Sequence, residues 1–259
     1  MVDFVGAGCG AKDLITLRGL KLIQQADVII YAGSLVNPEL LEYAKPGCEV
    51  HNSALMTLDE VISVIVSAES SGKKTVRLHT GDPCLYGAIR EQMDRLEALG
   101  IEYAVCPGVS SFCGAAAALR AEYTLPAVSQ TVIITRMAGR TPVPERESIE
   151  SLAAHGSTMV IFLSTGMLEE LSARLINGGY SAGTPAAIVY KASWQDEKVC
   201  RCTVGTLAET AMKNDIRKTA LITVGNFLGS DYELSKLYDS GFSTEFRTAK
   251  PGPTAKEQS

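Results

Sequence analysis

The chain opens with Val2-Asp3-Phe4-Val5-Gly6-Ala7-Gly8-Cys9-Gly10, in which a short apolar run leads into a glycine-rich turn. Glycines directly after a strand let the backbone approach a ligand, and a following helix offers unpaired N–H groups. A tight turn that simply needs glycine is the alternative. We expect Asp13 to cap the next helix, with Leu14, Leu17 and Leu20 on its apolar face.

The rest of the first half alternates strand and helix signals. Thr57-Leu58-Asp59-Glu60 has the pattern of a capping box, and Gly72 would end the helix that begins there. This alternation predicts a parallel α/β sheet. We expect strands at 27–31, 74–80 and 101–106, and further helices at 85–99 and 109–119.

The second half begins after residues 120–128, a stretch without a clear period, where we place a domain junction. Its expected strands are 130–136, 158–163, 186–190 and 220–224, and its expected helices are 168–175 and 207–212. The sequence thus predicts an α/β fold with domains at 1–119 and 120–238 and a loose tail at 239–259.

Composition restricts the function. The 259 residues are 46% hydrophobic and carry a net charge of −5, which is typical of a globular protein and unlike a general nucleic-acid binder. The charge-free run at 103–119 is shorter than the ~20 apolar residues of a membrane-spanning helix. We see no signal peptide and expect a cytoplasmic protein without a membrane segment. Seven cysteines without a C-x-x-C pair and three scattered histidines predict no metal site.

Two more turns follow predicted strands. The first is Thr80-Gly81-Asp82-Pro83-Cys84-Leu85-Tyr86-Gly87, which could face a crevice or simply form an Asp-Pro turn. The second is Cys106-Pro107-Gly108-Val109-Ser110-Ser111-Phe112, which could bind a ligand or only provide Ser110 as a helix cap. Because parallel strands end at one edge, we expect all three turns to converge on one crevice. A dinucleotide site is disfavoured, since Ala11 replaces the third glycine and the second strand ends without a carboxylate.

These three turns are where the sequence resembles a known family. The stretches 5–19, 81–87 and 107–112, in this order and spacing, resemble the tetrapyrrole methylases, which use S-adenosylmethionine. Residues 31–36, 51–54 and 136–145 are similar to the branch that methylates C11 of precorrin-4 or its cobalt form, a step in corrin-ring synthesis for cobalamin.

The resemblance implies two α/β domains with the cofactor in a cleft between them, and a homodimer. By position, it implies contacts to S-adenosylmethionine, mostly through backbone atoms, from Cys9, Thr80, Gly81, Asp82, Leu85, Ser110, Ser111, Leu163, Ala192, Ala220 and Leu221.

Two positions depart from the family pattern. Cys9 stands where the family usually has proline, and Ala32 stands where the sirohaem-making relatives have an aspartate that is proposed as a base. We therefore assign no catalytic base. An electron-rich ring carbon can attack a sulfonium methyl group without one, so alignment of the two bound molecules would be the enzyme's main task.

A tetrapyrrole with many carboxylates needs basic partners. We expect these in the loop that opens the second half and after a later strand, and the substrate-binding candidates are Arg136, Met137, Arg140, Arg146 and Lys191. A solvated surface loop is the alternative. His51 and His79 could contact the substrate or its cobalt, although a structural role is commoner. Trp194 is expected to anchor a loop, and stacking on the macrocycle is the alternative.

Two functional alternatives remain open at this point. One is methylation at another position of the same macrocycle. The other is a relative of the same fold that acts on a macromolecule, either diphthamide on an elongation factor or a ribosomal RNA ribose.

Overall fold

The computed structural model describes residues 1–250 and contains two five-stranded sheets. The strands of the first sheet are β1 (Val2–Gly6), β2 (Val28–Tyr31), β3 (Glu49–Asn52), β4 (Thr75–His79) and β5 (Tyr103–Cys106). Their order is β3-β2-β4-β1-β5 and every pair is parallel, so the predicted parallel sheet is confirmed. All five carboxyl ends therefore lie at one edge. The short strand β3 was not predicted.

Helices cover both faces of this sheet. They are α1 (Leu17–Gln25), α2 (Leu58–Ser70) and α3 (Arg90–Ala98). Ile23 of α1 packs with Val5 and Leu78 on one face. Ile65 of α2 and Leu96 of α3 pack with other strand residues on the opposite face. Burial on both faces explains why these strands read as continuous apolar runs.

The start of α2 is as predicted. The Glu60 backbone N–H donates to Thr57 Oγ1 at 3.3 Å, and the Thr57 N–H donates to Glu60 Oε2 at 2.6 Å, which is the reciprocal pair of a capping box. Gly72 follows the helix with φ +66°, a left-handed conformation that favours glycine.

The predicted cap of α1 is wrong. Thr16 caps this helix, because its Oγ1 accepts a hydrogen bond from the Gly19 N–H at 3.0 Å, whereas Asp13 lies in a preceding 3₁₀ turn. The predicted apolar face is also wrong, since the side chains of Leu14 and Leu17 are exposed. The longer link between β1 and α1 shifts the buried positions.

The helix predicted at 85–99 begins only at Arg90. The chain before it forms a turn, in which Tyr86 and Ala88 adopt φ +56° and +49°. Gly87 lies so close to Pro83 that an added Cβ would be 2.2 Å from the Pro83 carbonyl oxygen. Tertiary packing of this tight turn overrides the helical pattern.

The second sheet is mixed. Its strands are β6 (Val132–Arg136), β7 (Thr158–Phe162), β8 (Pro185–Tyr190), β9 (Lys198–Thr203) and β10 (Ala220–Val224). The order is β6-β7-β10-β8-β9, and among these pairs β6 and β7 are parallel while the others are antiparallel. The edge strand β9 was not predicted.

The second sheet is also covered on both faces. One face packs against three helices, of which the first was not predicted, namely α5 (Ile149–Ala153), α6 (Leu168–Asn177) and α7 (Leu207–Lys213). The other face packs against Ala115 and Leu119 of a helix from the first half, α4 (Ser111–Leu119). This helix, which we call the linking helix, therefore begins at the edge of the first sheet and packs on the second.

The end of the described chain has little regular structure. From Gly241 to Lys250 no helix or strand occurs, and most side chains are exposed. The remainder of the expected tail, 251–259, lies outside the described residues. Within residues 1–250, none of the helices has both the length and the apolar character needed to span a membrane.

Candidate active site

The three predicted turns meet at the carboxyl edge of the first sheet. Gly8 and Gly81 form a two-way backbone bridge, with N···O distances of 3.3 Å and 2.9 Å. Gly6 and Gly108 approach so closely that a Cβ on Gly6 would lie 2.6 Å from Gly108 Cα. The expected convergence is therefore confirmed, and glycine is needed because no side chain fits between these loops.

Asp82 ties two of the turns together. Its Oδ1 accepts the Cys84 N–H at 2.8 Å, and its Oδ2 accepts the Gly108 N–H at 2.9 Å. Burial by itself would raise the pKa of Asp82, but hydrogen bonds from the Cys84 thiol and from the Cys84 and Gly108 N–H groups outweigh it and hold the pKa below its ordinary value. The two alternatives for this segment are therefore both realised, because Asp82 forms a turn with Cys84, lines the cleft and also fixes the loop that precedes the linking helix.

The opposite wall comes from the second sheet. Phe162 ends β7 and Leu163 follows it, Lys191 and Ala192 follow β8, and Ala220 begins β10. Register places these positions side by side, because β10 runs antiparallel to both β7 and β8. The second sheet therefore presents three chain segments to the turns of the first.

Backbone strain is concentrated at this wall. Leu163, Lys191 and Thr219 have φ of +52°, +46° and +57°, which non-glycine residues rarely adopt. Leu163 is 61% exposed although it is apolar. Thr165 Oγ1 donates to the Ala220 carbonyl at 3.1 Å and supports the arrangement from below. Strain of this kind is common where a fold shapes a ligand site.

A cleft of two compartments lies between the walls. The first compartment has about 670 Å³ of empty space, its open mouth included, and an apolar back formed by Val189, Ala192 and Leu221. The second compartment has about 760 Å³, measured in the same way, and extends under the turn at 81–87. The two are continuous, because both are lined by Leu35, Thr80, Ser111, Phe162 and Leu163.

All eleven positions expected to contact the cofactor line this cleft. Those in the first compartment are Cys9, Thr80, Ser111, Leu163, Ala192, Ala220 and Leu221. Those in the second compartment are Thr80, Gly81, Asp82, Leu85, Ser110, Ser111 and Leu163. Ser110 precedes the linking helix, but its hydroxyl makes no capping hydrogen bond within the described residues. Of the two alternatives for Ser110, the structure thus favours a residue that faces the cleft over one whose side chain only caps the helix.

The comparisons with known proteins agree with this geometry. A family model described as tetrapyrrole (corrin/porphyrin) methylases matches residues 1–208, which is most of the chain. The chain belongs to the tetrapyrrole methylase family.

Three relatives illustrate the likeness. A protein of Methanocaldococcus jannaschii named cobalt-precorrin-4 C(11)-methyltransferase is 56% identical over 247 residues, 95% of each chain. A solved cobalt precorrin-4 methyltransferase has a TM-score of 0.87 and 48% identity, with 88% of this chain and 96% of that chain covered. A uroporphyrin-III C-methyltransferase of Thermus thermophilus, solved with S-adenosylhomocysteine, has a TM-score of 0.72 and 25% identity, with 88% and 92% covered.

In this methylase the candidate basic residues are only partly brought together. Lys191 lines the first compartment, where its Nζ pairs with Asp196 Oδ2 at 2.6 Å. Arg136 donates to the backbone carbonyls of its own loop at 2.8–3.2 Å. Arg140 and Arg146 are exposed and line neither compartment. Arg136 therefore organises a loop beside the cleft, whereas Arg140 and Arg146 lie on the solvent-exposed surface of that loop.

Met137 is placed differently from the expectation. Its side chain is buried in the core of the second sheet, and its backbone N–H donates to Ser164 Oγ at 2.9 Å. This contact joins the arginine loop to the segment that carries Leu163.

Two aromatic side chains also shape the site, of which Tyr86 had no role assigned from the sequence and Trp194 was expected to anchor a loop. The Tyr86 ring lies 5.3 Å from the Phe162 ring and contacts the opposite half of the cleft. Trp194 packs against Gly10, where a Cβ would lie 2.3 Å from the indole. Positive φ at Tyr86 places its ring, and no sequence pattern marks that conformation at a non-glycine residue.

The two noted histidines differ in position. His79 is 3% exposed and lines the second compartment. His51 lines neither compartment, and its Nε2 lies 3.9 Å from Glu49 Oε2. Within residues 1–250, no group of three or more His, Cys, Asp or Glu side chains is arranged to hold a metal ion.

Proposed function

We propose that this chain transfers a methyl group from S-adenosylmethionine to C11 of cobalt-precorrin-4, or of metal-free precorrin-4, during corrin-ring synthesis for cobalamin. The 56% identity over 95% of both chains with a relative named for this reaction carries the proposal. The continuous cleft between the two sheets supports it, because two molecules must be bound side by side.

The residues of the cleft fit the cofactor. Gly81 lines the second compartment with backbone atoms only, and the apolar back of the first compartment suits a flat adenine ring. We assign the cofactor contacts to the eleven cleft positions given above. A family member with S-adenosylhomocysteine bound supports this assignment. When bound, S-adenosylmethionine supplies an electrophilic methyl group on a sulfonium.

Catalysis would rest on alignment. Ala32, after β2, lines the second compartment and offers no carboxylate as a base. The strained segments at Leu163 and Lys191 and the turn at Tyr86 fix the walls that hold the two molecules. Such preorganisation can lower a bimolecular barrier by ~7–11 kcal/mol. A proton released after methylation would pass to water at the open mouth.

We further assign substrate carboxylates to the region of Arg136, Met137, Arg140, Arg146 and Lys191. Arg136 would shape the loop, and the exposed Arg140 and Arg146 would supply charge. We also propose domains at 1–119 and 120–238, a cytoplasmic location and a homodimer. Light scattering on a size-exclusion column tests the homodimer directly.

The first experiment is a thermal-shift titration with S-adenosylhomocysteine, beside NAD and NADP. A ligand that binds only the folded state adds ~2.7 kcal/mol of stability at a hundredfold excess over Kd. We expect a shift with S-adenosylhomocysteine alone. A shift only with a dinucleotide, or no shift, would overturn the cofactor assignment.

The second experiment uses cobalt-precorrin-4 and S-adenosylmethionine carrying a ¹³C methyl group. We expect a product heavier by one methyl group, with the label at C11 by nuclear magnetic resonance. Label at another ring carbon would favour the alternative position on the macrocycle. Label on protein or RNA in a crude extract would favour a macromolecular substrate.

A further inference from the structure

Two side chains of β4 line the back of the second compartment. Arg77 and His79 are two residues apart, so they project from the same face of the sheet. They are 6% and 3% exposed, and the His79 ring lies 6.0 Å from the Phe4 ring. Both nonetheless border the cleft. Neither has a role in the methyl transfer described above.

Arg77 is a buried cation whose contacts are neutral. Its Nε donates to Gln92 Oε1 at 3.0 Å and its Nη1 donates to the Ile30 carbonyl at 3.1 Å. A guanidinium has five N–H donors, so these two bonds leave others available. No carboxylate within residues 1–250 forms an ion pair with Arg77. Burial lowers the pKa of Arg77 to about 10, which still leaves it charged at neutral pH.

His79 adds an unused polar atom beside this cation. Its Nε2 is buried and has no hydrogen-bond partner among the described residues. Burial and the neighbouring Arg77 lower the pKa of His79 to about 3, so the ring is neutral at pH 7. A buried polar atom without a partner and a buried charge without a counter-charge are both costly, and a bound anion would relieve both costs.

We propose that Arg77 and His79 form a carboxylate-binding recess at the back of the second compartment. The planar guanidinium suits the two oxygens of a carboxylate, and a neutral imidazole can donate one further N–H. The proposal rests on the proposed function, which brings two sources of carboxylate to this cleft. One is a side chain of the tetrapyrrole, and the other is the methionine part of the cofactor.

The test compares Arg77→Gln with Arg95→Gln. Arg95 is exposed on α3 and pairs with Asp59 at 2.9 Å, so its substitution controls for loss of a positive charge. Each protein is titrated by calorimetry with S-adenosylhomocysteine and with 5′-methylthioadenosine, which lacks the carboxylate. It is also titrated with cobyrinic acid, a stable corrin with free carboxylates, and with its fully methylated ester.

If the recess holds a tetrapyrrole carboxylate, Arg77→Gln weakens cobyrinic acid binding by roughly tenfold or more and leaves its ester unchanged. If the recess holds the methionine carboxylate, Arg77→Gln weakens the binding of S-adenosylhomocysteine to the same extent and leaves the binding of 5′-methylthioadenosine unchanged. Arg77→Lys keeps the positive charge but loses the planar guanidinium, so its affinity for the same probe should lie between those of wild type and Arg77→Gln. The Arg95→Gln control should match wild type throughout.

Unchanged affinities for both carboxylate-bearing probes in folded Arg77→Gln would overturn the recess. If that variant does not fold, His79→Gln takes its place, with an expected loss of severalfold for the same probe. A wild-type protein that binds neither S-adenosylhomocysteine nor the corrin would overturn the proposed function itself. Binding of both by wild type with no difference in the variants would overturn the recess alone.

Discussion

The Gly108 backbone N–H donates to Asp82 Oδ2 at 2.9 Å and so joins the turns that follow β4 and β5. The same carboxylate accepts the Cys84 N–H through its other oxygen. Both turns are therefore held in place before any ligand binds. Such preorganisation reduces the cost of ordering the site on binding.

Replacing Asp82 by asparagine should weaken both folding and cofactor binding. Asparagine has one acceptor oxygen, so one of the two N–H groups would face an amide NH₂ instead. Hydrogen bonds to a charged group contribute about 1.5–3 kcal/mol, and we expect a loss of that size in the free energy of unfolding. Affinity for S-adenosylhomocysteine should fall severalfold. Thermal melting and calorimetry at pH 7 measure both, since the low pKa keeps Asp82 ionised there.

Asp94→Asn is the matched control. Asp94 pairs at 2.8 Å with Arg90 on the exposed side of α3, and such surface pairs contribute about 0–1 kcal/mol. An Asp82→Asn protein as stable as this control would contradict the proposed bridging role of Asp82.

Replacing Gly108 by alanine tests the close approach of the turns. The new Cβ would lie 2.2 Å from the Gly81 carbonyl oxygen and 2.7 Å from Gly6 Cα, both of which are backbone atoms. Overpacking of this kind costs about 1–3 kcal/mol, or a melting temperature lower by roughly 2–12 °C. At Gly166 an added Cβ meets nothing within 4 Å. Gly166→Ala should therefore melt close to wild type, and equal melting of the two variants would contradict the tight fit.

Much of the fold could be predicted from the sequence, because in those segments the local residue preferences and the pattern of burial favour the same element. The capping box at Thr57 and the buried apolar strands of the first sheet are examples. Prediction failed where tertiary contacts overrode the local pattern. The turn before Arg90 is helical in its spacing but is shaped by Pro83 and Gly87. The edge strand β9 escaped notice because it has no continuous apolar run and half of its positions, Lys198, Val199 and Arg201, are exposed.

The sequence predicted which loops form the site, but not which contacts the side chains in it make. Glycines after successive parallel strands indicated convergence, because parallel strands end at one edge. Nothing in the sequence showed that Arg77 has no carboxylate partner within residues 1–250, since that depends on all of its neighbours in space. The wrong cap at Asp13 has a similar cause, because Thr16, another residue type that favours the N-cap, lies three positions later and the packing decides between them.

Replacing Arg136 by glutamine should loosen the loop beside the cleft. The guanidinium holds the carbonyls of Met137, Thr141 and Pro142, and glutamine is too short to reach all three. We expect trypsin to cleave after the exposed Arg140 roughly five to ten times faster, because local opening becomes about 1–1.4 kcal/mol easier. S-adenosylhomocysteine affinity should stay the same while KM for the tetrapyrrole rises. Cleavage at the wild-type rate would show that other contacts hold the loop.

His79 should make stability depend on pH. Burial and Arg77 lower its folded pKa to about 3, whereas the unfolded value is near 6.5. Between these values the unfolded chain binds a proton that the folded protein refuses, so stability is full above pH 6.5 and falls as the pH decreases towards 3. Moving from pH 7.5 to 5.5 should cost about 1.4 kcal/mol through this group. In His79→Gln that contribution disappears, and urea unfolding of both proteins at the two pH values isolates it, because the other titrating groups cancel. Equal pH dependence in the two proteins would mean that His79 gains a proton in the folded state, and would also argue against a neutral imidazole beside Arg77.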